Sequence, residues 1–291
     1  MPQAPLSQLK AEAAALASDL GTLTTHARAA SAAHLGSAGR RKSGMGENFW
    51  QYRRHTQEDG ADRVDWRRSA REEHLFVRET ELETARTFLF WADPSAGFHW
   101  SSSTTLPHKA DRALLLSMAL AGALSRSGER CGALGGGRGP VSGARAPARV
   151  GEDIRDFSAD LPFPPPPRDR AAIVICSDFY SPLAEWRARL TPIAGKCRDG
   201  VLLQICDPIE EAYPFNGRVR FFRPGQDRER LVGRAESIRD GYLDKFAQRR
   251  KDMTDLAGEL GWRFVSHVTN EEPRTPLGNL AHGFSVSGAM A

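Results

Sequence analysis

Three uninterrupted apolar runs constrain the fold more than any other feature of this sequence: Thr87-Phe88-Leu89-Phe90-Trp91-Ala92, Ala171-Ala172-Ile173-Val174-Ile175-Cys176 and Val201-Leu202-Leu203-Gln204-Ile205-Cys206. Each is the length of one strand and lacks the polar alternation of a half-exposed sheet, so each reads as a strand buried on both faces. Parallel strands need crossover connections, and the crossover helices are what cover both faces. The intervals supply them. Leu114, Leu115, Met118, Leu120 and Leu124 predict a helix from about Pro107 to Ser127, and another is predicted from Pro182 to Cys197. Ile238, Tyr242, Phe246, Met253, Leu256 and Leu260 share one face of a third, from about Arg234 to Leu260. Shorter strands are expected at His74 to Glu79, Arg218 to Phe222 and Arg263 to Val268, whereas Gly132 to Arg149, with Gly135-Gly136-Gly137, reads as loop. The Ala-rich stretch from Leu6 to Ala33 predicts an amphipathic helix interrupted near Gly21. The expected architecture is an α/β doubly wound, mostly parallel sheet with helices on both faces. An N-terminal helical segment (1–34) and an Arg-rich β/loop segment (35–85) precede the sheet domain (86–291).

A chain of 291 residues with a formal net charge of +4 has an ordinary globular composition, which excludes collagen, coiled coil and wholesale disorder. It has no apolar window of transmembrane length and no signal-peptide pattern at its start, so a soluble, cytoplasmic protein is expected. Four widely spaced cysteines without a C-x-x-C pair predict buried, reduced thiols rather than zinc ligands or disulfides.

Each of the three buried runs is followed closely by an aspartate: Asp93, Asp178 and Asp207. In an open α/β sheet the carboxyl ends of parallel strands face one crevice, where ligands bind. Converging carboxylates repel each other unless a cation neutralises them, and oxygen ligands suit Mg2+, Mn2+ or Ca2+. Ser95 adds a hydroxyl on the turn after Asp93. The competing reading of a strand-end aspartate is a helix cap or turn former. A second feature is the arginine block: between Arg40 and Arg71 nine basic residues face five acidic ones. There Asp65 and Trp66 read first as fold-supporting, with Asp62, Asp65 and Glu58 pairing Arg63, Arg67 and Arg71 and with Trp66 anchoring the segment on the core. Arg53, Arg54, Arg67 and Arg68 are candidate partner contacts. Gly36 to Ser43 lacks the strand and the Gly-Lys of a phosphate loop, and neither G-x-S-x-G nor H-E-x-x-H occurs.

The segment Gly44-Met45-Gly46-Glu47-Asn48-Phe49, Tyr52-Arg53, then Glu58-Asp59-Gly60-Ala61-Asp62-Arg63-Val64-Asp65-Trp66-Arg67-Arg68-Ser69-Ala70-Arg71, resembles the signature of the domain of unknown function 58. Asp59-Gly60 inverts that family's Gly-Asp. Val77-Arg78-Glu79 and Asp207-Pro208-Ile209-Glu210 match in kind and order. The resemblance implies a von Willebrand factor A-like fold and a metal-ion-dependent adhesion site of D-x-S-x-S type. Asp93, Ser95 and Asp178 carry over to its ligands; Gly97 stands at the second serine, and the site's threonine has no counterpart between Leu134 and Arg155. It also implies a non-enzymatic adaptor of a MoxR-type AAA+ ATPase that remodels or matures a client protein, whose carboxylate would complete the coordination of Mg2+, or of Mn2+ or Ca2+. Arg53, Arg54, Arg63, Asp65, Trp66, Arg67, Arg68, Arg71, Asp207 and Glu210 are its signature or partner-binding candidates. The alternative is a metal-dependent phosphoesterase using Asp93, Asp178 and Asp207, which lacks an evident general base. A nucleic-acid binder acting through Arg40 to Arg71 ranks below it, because acids interleave with the arginines.

Overall fold

The computed structural model describes residues 4–34, 43–56, 59–60, 64–70, 74–81, 85–158, 163–167, 170–222 and 229–286. In chain order the first elements are α1 (Leu6–His34), β1 (Ser43–Arg54), α2 (Trp66–Ser69), β2 (Phe76–Glu81), β3 (Thr87–Ala92), α3 (Lys109–Arg126), β4 (Arg130–Ala133) and α4 (Ala146–Arg155). There follow β5 (Ala172–Ser177), α5 (Leu183–Ala194), β6 (Asp199–Cys206), α6 (Pro208–Ala212), β7 (Val219–Phe222), β8 (Glu229–Val232), α7 (Arg239–Glu259), β9 (Arg263–Val268) and α8 (Arg274–Val286). The chain divides into two compact units, one of Met1–Ser31 with Arg86–Met290 and the other of Ala32–Ala85.

The larger unit is built on a five-stranded sheet in the order β4-β3-β5-β6-β9, and every neighbouring pair is parallel. The apolar runs explain how it is covered. Phe88, Phe90, Ala92, Ala172, Val174, Cys176, Val201, Leu203 and Ile205 bury into one layer with α1, α3, α4 and α8. The alternate residues Trp91, Ile173, Ile175 and Leu202 bury into the other with Trp186, Leu190 and Ile193 of α5 and Met253 and Leu256 of α7. Side chains on a strand alternate between faces, so a run that is apolar throughout needs both layers. On β6 one position is reserved for glycine by close approach: a Cβ at Gly200 would fall inside the indole of Trp262.

Helix α1 is continuous through Gly21, where an interruption was expected. One glycine costs a helix only about 1 kcal/mol. Leu9, Ala13, Leu16 and Leu20 bury into the first layer, each leucine gaining roughly 1.5 to 3 kcal/mol. The stretch expected as loop, Gly132 to Arg149, overlaps the end of β4 and the start of α4. Four residues with one glycine are too short to show a period, and β4 is recognisable only from its pairing with β3. Helix α8 was also not foreseen. All four cysteines are free and buried, and burial pushes the thiols of Cys131, Cys176 and Cys206 up to about 12. Among the described residues no helix is long and apolar enough to cross a membrane.

The smaller unit pairs β1 with β2 antiparallel, with register shifts between Gly44 and Phe49 and between Phe49 and Gln51. The Gly36 to Ser43 motif falls largely outside the described residues.

At the sheet edge His267 of β9 is 1% exposed; its Nε2 lies 3.4 Å from Nη1 of Arg112, and its Nδ1 lies 3.3 Å from Oε2 of Glu271. Burial first, and the Arg112 guanidinium second, lower its pKa from 6.5 to about 4. The folded protein therefore binds fewer protons here than the unfolded chain between those values. The stability this contributes is present above pH 6.5 and is lost as pH falls towards 4. Replacing His267→Gln should flatten the acid side of the stability profile by up to about 3 kcal/mol. Urea unfolding of both proteins at neutral pH and at a pH of about 4.5 checks this; equal losses on acidification would refute it.

Candidate functional site

At the carboxyl ends of β3, β5 and β6 a cavity of ≈ 880 Å³ opens within the larger unit. Asp93, Ser95, Lys109, Asp178 and Glu210 line its polar part, and Trp100, Tyr180, Tyr213, Phe221, Phe222 and Tyr242 are among its aromatic walls. Of the residues that the sequence singles out, the structure lines this crevice with Asp93, Ser95 and Asp178, expected there, and with Glu210, which was a family-signature candidate.

Their hydrogen bonds separate them into two groups. Asp93 follows β3; its Oδ1 accepts from the Ser95 N–H at 2.9 Å and its Oδ2 from the Ser177 hydroxyl at 2.7 Å. Ser177 ends β5, is fully buried, and also accepts from the Phe179 N–H at 3.1 Å. Asp178 belongs to the second group. Its Oδ1 accepts from the Tyr180 N–H at 3.1 Å, and its Oδ2 accepts from the Lys109 ammonium at 2.9 Å. The same ammonium donates to Oε1 of Glu210 at 2.9 Å.

Lys109 was not singled out in the sequence. It is the first residue of α3, where the positive end of the helix disfavours a cation. Its side chain is nevertheless 1% exposed, with Nζ 5.2 Å from the ring centre of Trp100 and 5.4 Å from that of Tyr180. Burial works to lower its pKa, but Asp178 and Glu210 together raise it above the ordinary lysine value. Burial in turn raises Asp178 and Glu210 above ordinary carboxylates, with Lys109 pulling both back. A network continues outward: Gln204 donates to the Asp178 carbonyl at 3.2 Å, Arg250 donates to Gln204 at 2.9 Å, and Arg250 pairs with Glu211 at 2.5 Å. Its members come from α3, the β5 turn, β6, α6 and α7.

Asp207 does not join the crevice. It is fully buried and caps α6: its Oδ1 accepts from Ile209 N–H at 3.1 Å, and its Oδ2 accepts from Ser102 N–H at 2.8 Å. Glu210 completes the capping box by accepting from the Asp207 N–H at 2.7 Å. The expectation that Asp207 contacts a partner, or joins Asp93 and Asp178 in a metal-dependent phosphoesterase site, is corrected on this geometry, since none of its surface is available. The helix-cap alternative describes it.

An adhesion-type metal does not fit the residues present. Asp178 and Glu210 are already neutralised by an ammonium, both oxygens of Asp93 accept hydrogen bonds from the Ser95 backbone N–H and the Ser177 hydroxyl, and Gly97 supplies no hydroxyl. Among the described residues no group of three His, Cys, Asp or Glu side chains could hold a metal ion.

The arginine-block candidates lie in the smaller unit. Arg53 grips Asp59 with two bonds of 2.6 and 2.5 Å, which holds the Asp59 carboxyl well below its ordinary value. The carbonyl of Arg54 accepts from Arg53 at 3.1 Å. Asp65 caps α2 through the Arg68 N–H and accepts from the Tyr52 hydroxyl at 3.1 Å. Arg68 lies over the rings of Tyr52 and Phe76. Arg67 is exposed. Trp66, expected to anchor the segment on a core, is 62% exposed, a correction: it opens a helix of four residues, too short to turn a buried stripe inward. Arg63 and Arg71 lie outside the described residues.

The two non-glycine residues with left-handed backbone among those described border the crevice: Phe179 (φ 58°), between Asp178 and Tyr180, and Tyr213 (φ 43°), at the end of α6. Such conformations are strained and gather at functional sites.

Fold and site together define an α/β domain of parallel strands with an aromatic-walled crevice at its strand ends. Residues 51–252, more than half of the chain, match the family described as protein of unknown function DUF58, and the protein belongs to that family. Among solved structures, the conserved hypothetical protein BatB from Bacteroides thetaiotaomicron is similar at 12% identity, over 70% of this chain and 100% of that one, with a TM-score of 0.39. No curated protein matches the chain.

Removing the buried Asp207 carboxylate should leave the N–H groups of Ser102 and Ile209 without their acceptor. Asp207→Ala is expected to lose about 2 to 4 kcal/mol in urea unfolding, and Asp207→Asn less, because it keeps one acceptor. An alanine variant as stable as the parent would contradict the capping role.

Proposed function

We propose that this protein is a non-enzymatic interaction module of von Willebrand factor A-like type, acting as adaptor to a MoxR-type AAA+ ATPase in remodelling or maturing a client protein, in the cytoplasm. One observation carries the binding part of this reading: a ligand-sized crevice walled by aromatic rings opens where parallel strands end, with Phe222 64% exposed and Tyr180 37% exposed at it. Exposed aromatic area at a concave site favours partner binding, because such rings bury much surface at little entropic cost. Chemistry has less support there. Asp178 and Glu210 are tied to Lys109 and Asp93 to Ser95 and Ser177, leaving no carboxylate placed as a free general base. The ATPase partner is inferred from membership of the family alone.

The test is affinity capture of the tagged chain from its native lysate, with Phe222→Glu and Asp93→Ala in parallel and bound proteins identified by mass spectrometry. An AAA+ ATPase should be recovered with the wild type and reduced at least several-fold with Phe222→Glu, whose exposed position spares the fold. Equal recovery with all three would move the contact away from the crevice, and absence of any ATPase would refute the adaptor reading.

A further inference from the structure

We propose that Lys109 is a built-in counter-ion standing in for a divalent cation, so that the strand-end crevice is complete and competent without metal. The residues that would form an adhesion-type metal site are present in part, but their carboxylates are divided between two sets, each already bonded within the protein. Asp93, Ser95 and Ser177 make one, and Lys109, Asp178 and Glu210 make the other. The ammonium lies 2.9 Å from one oxygen of each carboxylate in the second set. A cation bound by those carboxylates would need oxygens at roughly 2.0 to 2.6 Å, which would press it against the ammonium.

A lysine at the first position of α3 has no reason of its own to be buried. The helix end opposes it, and desolvation opposes it more strongly. Two carboxylates at hydrogen-bond distance and the ring faces of Phe98, Trp100 and Tyr180, at 5.2 to 5.9 Å, supply what water would otherwise provide. An ammonium differs from a metal ion in one functional respect. It offers three hydrogens and no exchangeable coordination position, and here it is 1% exposed. A partner carboxylate therefore has no cation to complete, and recognition at the crevice falls to its other surfaces. The missing serine fits the same account: a Cβ at Gly97 would meet only Ser95 Oγ, at 4.0 Å, so space does not exclude a side chain there.

Thermal unfolding and manganese electron paramagnetic resonance decide the matter without any partner, so the result stands apart from the adaptor reading. The wild type should melt at one temperature in EDTA and in millimolar MgCl2, MnCl2 or CaCl2, and should leave the free Mn2+ signal unchanged. Lys109→Ala should melt on the order of 10 °C lower in EDTA and recover part of that loss with Mn2+, more so when combined with Gly97→Ser. Manganese binding to the wild type that Asp93→Ala abolishes would overturn the proposal. So would a Lys109→Ala protein that melts with the wild type and ignores Mn2+. If Lys109→Ala does not fold, the triple variant Lys109→Ala, Asp178→Asn, Glu210→Gln should fold, since it removes the stranded charges together; failure of the triple variant as well would count against the counter-ion role.

Discussion

The crevice depends on a single ammonium held between two carboxylates. Lys109 enters from the start of α3, Asp178 from the turn after β5 and Glu210 from the first turn of α6, so three segments distant in sequence meet at one charge. The attachment is stronger than a surface ion pair because each partner is nine-tenths buried or close to it, and losing one would strand the others in a poor solvent for charge. From Asp178 the ties run through Gln204 to Arg250 and so to α7. The sheet brings the strand ends near each other, and this network fixes the distances between the loops that leave them.

The sheet was legible because its strands carry their signal in composition alone. A run such as Ala171 to Cys176 admits few readings besides a doubly covered strand, and β3 and β9 begin and end where the sequence places them. β4 and α8 were not legible. β4 has four residues and exists through its neighbour, and α8 has Leu277 and Leu280 in the core among its described side chains. In the site, the strand-end aspartates were visible, but their roles were not, because a cap and a ligand use the same residue type. Asp207 followed by Pro208 and, three residues on, by Glu210 has the pattern of a capping box, a signal that favoured the cap. Lys109 gave no signal of its own: a lysine at a predicted helix start reads as surface until the fold shows two carboxylates beside it.

In the smaller unit two of the described arginines have local employment. Arg53 is bound to Asp59, and Arg68 covers two rings while its backbone receives the cap from Asp65. Interleaved acids and bases in that block thus serve a small two-stranded unit that has little apolar core of its own, with Val64 and Val77 its buried aliphatic side chains among those described. Trp66 stands apart from this pattern, as a large apolar side chain left in solvent.

Phe179 and Tyr213 adopt a backbone conformation that few residues with a Cβ accept, and each is held there by packing. Phe179 lies edge to face against Trp186, with ring centres 4.8 Å apart, and Tyr213 is as close to Tyr242. A loop locked in this way has already lost its conformational freedom when the chain folds. Docking at the crevice would then proceed without a further ordering cost in its walls, so that even a modest contact area could give a long-lived complex.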